Sequence, residues 1–401
     1  MADEPNMLPE ECPPALPIDQ ISLIGNRHVI PDLQNVTHNF AFAFDIDGVL
    51  VRGKAPLHGA KQALETLQAN AIPFILLTNG GGLTEADHAE RVGQRLDISI
   101  REDQFVQSHS PFQSFVDEFQ DKWILVLGGQ KSAAKELATH YAFSPNKIVS
   151  SSDLVKDHPS IHPFPEMTAS YHGEHGKVAE DFSHEKEIAA IFVFSSPRDW
   201  CLDLQVCLDL LLSSRGRLGT ESALNGDTTL PNNGYQQDNQ PRLFWCNPDV
   251  QWATSHATPR LAQGGFRAAL EGIWKSVTKG KAELNSWTCG KPTSTTYDFA
   301  EQVLKEYNGK LQASGATKTK ATKLKTVYMI GDNPESDICG AMVADKVSDL
   351  TWRSVLIETG VHKAGTTPAY EPTETKSDVW GAVRWAINKE TDVDIGERTD
   401  V

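Results

Sequence analysis

Four short stretches of this 401-residue chain hold residue types that can handle a phosphate group and a metal ion. Asp45 and Asp47 stand two apart, so in an extended chain they point the same way, and the bend at Gly48 leaves them near one another. Two carboxylates are hard oxygen donors of the kind Mg²⁺ takes alongside phosphate oxygen and water. Asp332 and Asp337, in Gly-Asp-x-x-x-x-Asp, add two more. Thr78 offers a hydroxyl, and the run from Asn79 and Gly80 to Gly82 offers backbone N–H groups just before a helix, where anions are favoured. Lys291, between Gly290 and Pro292, offers an ammonium. Carboxylates, a hydroxyl, free amides and one lysine are the parts phosphoryl transfer uses. Each stretch alone also reads as an ordinary turn; their order, each at the end of an apolar run, carries the inference.

Those runs are the elements that must position the chemistry. Phe40 to Phe44 reads as a buried strand ending at Asp45, and Pro73 to Leu77 as a second ending at Thr78. Thr326 to Ile330 is a third, ending at Gly331-Asp332. Helices are expected over Lys61–Ala69 and, capped by Thr84, to about Leu96. Strand, helix, strand, helix is the pattern of a parallel sheet, whose ligands lie outside the carboxyl ends of its strands. The middle of the chain shows the same alternation, with strands at Trp123–Leu127, Ile188–Phe194 and Leu243–Cys246 and helices at Leu202–Leu212 and Gly264–Trp274. Trp200 and Trp252 read as packing residues there. Further strands are expected at Trp287–Cys289 and Ser354–Glu358, and a helix from Ser294 to Tyr307. Residues 1–38, with clustered prolines, read as an extended arm, and 219–241 as a loop of turn-formers. The stretch from 150 to 185 holds His158, His162, His172, His175 and His184 at no familiar metal-ligand spacing, and reads as a polar, mobile insertion.

Composition narrows the partners. Lys and Arg number 37 against 53 Asp and Glu, a formal charge of −16, which argues against non-specific binding to nucleic acid or an anionic membrane. The lysines at 318, 320, 323 and 325 read as a solvated loop. No stretch approaches the ~20 apolar residues of a membrane helix, so no membrane insertion is expected. Six scattered cysteines without a Cys-x-x-Cys pair suit free thiols in a reducing compartment. Residues 1–17 carry neither a secretory signal nor the Arg-rich pattern of a mitochondrial presequence, which points to the cytoplasm; the sequon at Asn35 is then unused. Nothing in the sequence speaks to oligomeric state.

The ordered motifs DIDGV (45–49), LLTNGG (76–81), GKP (290–292) and GDNPESD (331–337) resemble those of the haloacid dehalogenase (HAD) superfamily. Stretches such as DGVLVRG, SHSPF, SPRDWCLDLQ, FWCNPDV, PRLAQGGFRAALEGIW and LIETGV resemble its class IIA hydrolases, in the branch named after the cat eye syndrome critical region protein. The resemblance spans about residues 38–365. It implies an α/β fold: a Rossmann-like parallel-sheet core at 39–120 and 287–390, with a large α/β C2-type cap at 121–286, inserted between the second and third motifs, and a tail at 391–401. It implies Asp45 as nucleophile and Asp47 as general acid and base. Phosphate would be bound by Thr78, Asn79, Gly80 and Lys291. Mg²⁺ would sit on Asp45, the Asp47 carbonyl and Asp332, with Asp337 in support. Asn247-Pro248-Asp249 would be a structural turn near the hinge. Relatives of this branch include mitochondrial proteins.

The expected activity is Mg²⁺-dependent hydrolysis of a small phosphorylated metabolite through an aspartyl-phosphate. Two alternatives stand beside it: a binding or scaffold protein that keeps the site but does little chemistry, and a phosphomutase using the same nucleophile.

Overall fold

The computed structural model describes residues 33, 38–252, 256, 258–315, 322–391, 393 and 395. The proline-rich arm apart from Leu33 and His38, Cys12, the sequon, Lys318, Lys320 and most of the tail lie outside the described residues. In chain order the strands of two parallel sheets are β1 (Phe40–Phe44), β2 (Phe74–Leu77), β3 (Phe105–Val106), β4 (Trp123–Leu127), β5 (Ile148–Val149), β6 (Ile188–Val193), β7 (Arg242–Trp245), β8 (Trp287–Thr288), β9 (Thr326–Gly331), β10 (Thr351–Ile357) and β11 (Glu374–Lys376).

The first sheet has the order β11-β10-β9-β1-β2-β3, with β1 at its centre. Phe44 pairs with Ile330 on one side and Leu76 on the other, so the three strands end level. That register brings Asp45, Thr78 and Asp332 to one edge. The alternation Phe-Ala-Phe-Ala-Phe explains why β1 is central. Phe40, Phe42 and Phe44 bury into one apolar cluster, with Tyr328, Ile330, Phe74 and Leu76. Ala41 and Ala43 face the other, with Val327, Met329, Ile75, Leu77 and Tyr297. Helices cover both faces, as a parallel sheet requires.

The second sheet has the order β8-β7-β6-β4-β5. In chain order this is 2-1-3-4-5, a doubly wound arrangement whose switch point lies between β4 and β6. The cap is thus itself a Rossmann-like module set between the second and third motifs.

Residues just outside the expected cap limits of 121 and 286 also pack with the cap sheet. Phe112, Phe115 and Phe119 pack onto the cap sheet against Phe192 and Phe244, because their spacing turns one apolar stripe toward it. Trp287–Thr288 is the cap's last strand, paired with Phe244–Trp245. The segment 150–185 is also more regular than expected: it holds helices at Ser151–Asp157 and Ala169–His175, and His162 and His172 are buried.

Candidate active site

Each catalytic candidate follows from a strand end. Asp45 directly follows β1 and its amide donates to the Ile330 carbonyl at 3.0 Å, locking the first motif to the last. Asp332 directly follows β9. Lys291 follows β8 after two residues, so the cap's last strand delivers the core's lysine. Among the described residues, carboxylate oxygens of Asp45, Asp332 and Asp337 all lie within 4.8 Å of one another.

Lys291 ties this group together. Its Nζ donates at 2.7 Å to Asp45 Oδ1 and at 2.7 Å to Asp337 Oδ1. Burial works against its charge, but the two carboxylates hold it above the ordinary lysine range. Asp337 has no exposed surface, and its Oδ2 accepts from the Asn333 amide at 3.1 Å. Both oxygens are engaged, so Asp337 serves to fix the lysine and the turn after β9. Asp332 Oδ2 accepts from the Val361 amide at 2.5 Å.

Three buried carboxylates face one ammonium. Burial, then the neighbouring carboxylates, push Asp332 up to about 8. Burial pushes Asp337 to about 6 against the pull of Lys291. Burial likewise raises Asp45. A divalent cation removes that excess negative charge, and an all-oxygen donor set is what Mg²⁺ prefers. Asp45 and Asp332 would hold it, with Asp337 behind the lysine.

Asp47 is not part of the buried trio. Its side chain is exposed at the mouth, while the surrounding protein atoms still raise its carboxyl above the usual range. A proton-carrying group beside, not within, the anionic cluster suits general acid–base work.

Thr78 is buried, and its Oγ1 accepts from the Gly80 amide at 3.0 Å, leaving its own proton to donate. The Asn79 side chain is committed elsewhere. Its Oδ1 accepts from the Lys291 amide at 2.7 Å, and its Nδ2 donates to the Lys291 carbonyl at 3.0 Å and to Asp249 at 3.2 and 3.3 Å. Asn247 Nδ2 donates to the Asn79 carbonyl at 3.0 Å. The side chain is therefore a clasp joining the second motif, the third motif and the cap's Asn-Pro-Asp turn, and only its backbone amide is left for phosphate.

Other residues support the site without standing out in the sequence. Gly48 has φ +89°, and a Cβ there would meet Asp332 Oδ2 at 2.5 Å. A Cβ on Gly360 would overlap the same oxygen. Thr359 Oγ1 donates to the Gly48 carbonyl at 2.6 Å. This loop belongs to the LIETGV stretch, whose only sequence signal is the family resemblance. His109 accepts from the Gly82 amide at 3.1 Å through Nε2, and its Nδ1–H reaches the Tyr141 hydroxyl at 2.6 Å. Tyr141 in turn donates to Glu85.

The sequence sets this site in a known lineage. Residues 42–144 match the haloacid dehalogenase-like hydrolase family, and 288–382 match a HAD-hydrolase-like family. A mitochondrial hydrolase of Saccharomyces cerevisiae is 34% identical over 380 residues, covering 92% of this chain and 99% of its own. A cardiolipin synthase (CMP-forming)/mitochondrial hydrolase fusion protein of Schizosaccharomyces pombe is 38% identical over 349 residues, covering 87% of this chain and 53% of the fusion's length. In fold the chain is similar to a p-nitrophenyl phosphatase from Archaeoglobus fulgidus, with TM-score 0.54, 15% identity, and 88% and 99% of the two chains covered. It is also similar to a hypothetical protein from Pyrococcus horikoshii, with TM-score 0.55, 17% identity, and 86% and 99% covered. The chain belongs to the haloacid dehalogenase-like hydrolases. It is an enzyme of the HAD hydrolase type.

Proposed function

We propose that this chain is a Mg²⁺-dependent phosphatase of a small phosphorylated metabolite. The convergence of Asp45, Asp332 and Asp337 around Lys291, with Asp47 standing free two residues from Asp45, carries the reading. A carboxylate oxygen of Asp45 attacks phosphorus and the phosphate–oxygen bond of the ester breaks. Asp47 gives its proton to the leaving alcohol oxygen, then takes one from the water that cleaves the aspartyl-phosphate. Thr78, Lys291 and the amide of Asn79 hold the phosphoryl oxygens, with the Gly80 amide orienting the Thr78 hydroxyl. Asp45 and Asp332 would hold Mg²⁺, which when bound would supply charge neutralisation for the phosphoryl group. The similarity to a p-nitrophenyl phosphatase fold supports phosphoester chemistry, and the curated relatives support hydrolysis.

Purified protein with Mg²⁺ is expected to release inorganic phosphate from p-nitrophenyl phosphate or from members of a metabolite phosphate panel, and to stop on chelation. Asp45→Asn should abolish turnover with the circular dichroism spectrum unchanged, and Asp47→Asn should lower kcat by about 10²–10⁴. Turnover surviving Asp45→Asn rejects the nucleophile; transfer to a sugar in place of phosphate release identifies a mutase. The two relatives described above are named as mitochondrial, which supports that compartment over the cytoplasmic expectation from residues 1–17. A carboxyl-terminal fluorescent fusion should then coincide with a mitochondrial marker.

A further inference from the structure

The histidine-rich cap segment, expected from its spacing to be a polar insertion, folds so that His162, His172 and Asp199 converge. One donor atom from each lies within 4.8 Å of the others. His172 Nε2 is 3.1 Å and His162 Nε2 3.8 Å from Asp199 Oδ2. Donors around a tetrahedral Zn²⁺ lie about 3.3 Å apart, given metal–ligand bonds of ~2.0–2.1 Å, so the His172 separation matches an edge of such a site and His162 needs to move in by about 0.5 Å. We propose that this triad is a cap metal site for Zn²⁺ or a chemically similar ion, separate from the core carboxylates.

Four features carry the assignment. First, the donors are two imidazoles and one carboxylate, a set that favours zinc over the all-oxygen ions of the core. Second, the surroundings orient them. Asp199 Oδ1 accepts from the Leu202 amide at 3.1 Å at the start of the Trp200–Leu212 helix, which turns Oδ2 toward the histidines. Ser152 Oγ lies 2.9 Å from His172 Nδ1, the outer contact that leaves Nε2 for an ion. Third, His162 is buried, and its Nε2 is turned toward the Asp199 carboxylate. Fourth, there is an entry path. Thr168, His172 and Asp199 line a cavity of about 390 Å³ that also reaches Gly128, Ser151 and Asp203. It opens at the carboxyl ends of β4 and β5, beside the switch point, so a fourth ligand can be water or an oxygen donor from the cavity.

The competing account is a metal-free brace. Thr168 Oγ1 contacts His162 Nε2 at 2.8 Å and donates to Asp199 Oδ2 at 2.7 Å, which could link the three without an ion. Thr168→Val separates the two accounts, since it breaks the brace and keeps every metal donor. The full chain, equilibrated with Zn²⁺ in excess Mg²⁺ and then dialysed, is expected to retain one zinc per chain by elemental analysis. Asp332→Asn and Thr168→Val should retain it too. His162→Gln and His172→Gln should weaken retention by at least about 100-fold. Co²⁺ in place of zinc should give wild-type protein the intense visible absorption of a four-coordinate ion. No zinc retained by wild type, or equal retention by both histidine variants, overturns the site. If a histidine variant fails to fold, the Co²⁺ spectrum of wild type decides: a six-coordinate spectrum or none overturns it.

Discussion

Two residues outside the proposed catalytic set condition those within it. His109 is fully buried, and burial drags its pKa down to about 3, so the ring stays neutral and can accept from Gly82. The unfolded ring takes a proton below its ordinary 6.5. Stability tied to His109 is therefore intact above that pH and drains as pH falls toward 3, by about 1.4 kcal/mol per unit. Chemical unfolding at pH 7 and pH 5 should show wild type losing about 2 kcal/mol more than His109→Gln. Gly360 acts by absence. An added methyl would collide with Asp332 Oδ2, so Gly360→Ala must displace a proposed metal ligand. The Mg²⁺ concentration for half-maximal activity should rise by about 10-fold or more, with the circular dichroism spectrum preserved.

At the scale of elements, the joint between core and cap is a set of hydrogen bonds centred on Asn79. Asp249→Ala removes the carboxylate half of the cap's side of that clasp and leaves Asn247 on the Asn79 carbonyl. It should cost about 0.5–1.5 kcal/mol in chemical unfolding and speed amide exchange near residues 247–250, leaving β1 and β9 protected. The strands that matter most are legible in the sequence because each is short, apolar on both faces and stopped by chemistry-bearing residues. Phe40–Phe44 and Thr326–Gly331 match their apolar runs to within a residue. The convergence of Asp45 with Asp332 follows from neighbouring strands. What is not legible is long-range and polar. Asn79 pairs with residues 170 and 212 positions away, and no local pattern encodes such a partner. The packing of Phe112, Phe115 and Phe119 on the cap sheet is hidden because such residues look alike whether they face the core or the cap. The His162–His172–Asp199 cluster is hidden for a related reason: its spacing fits no contiguous motif, and only the packing of two short helices brings it together. Trp200 packs on Phe266 at 5.5 Å, as expected, but Trp252 is 58% exposed on a two-stranded ribbon.

The whole molecule concentrates acidity where it is least comfortable. A chain of net charge −16 places three carboxylates in one buried pocket with a single lysine. A divalent ion that relieves this repulsion should bind the folded form selectively. Mg²⁺ at about 100 times its Kd should then add about 2.7 kcal/mol to unfolding, seen as a raised Tm that Asp332→Asn abolishes. The way the cap joins the core has a separate consequence. The thiol of Cys289, on the returning connection, donates to the carbonyl of Ser108, on the outgoing one, at 3.2 Å. Departure and return thus lie side by side, and everything between them is an excursion from one spot. Cut after Ser108 and at Cys289, the intervening segment should exchange for a relative's as a cassette and leave the carboxylates, the threonine and the lysine on one scaffold.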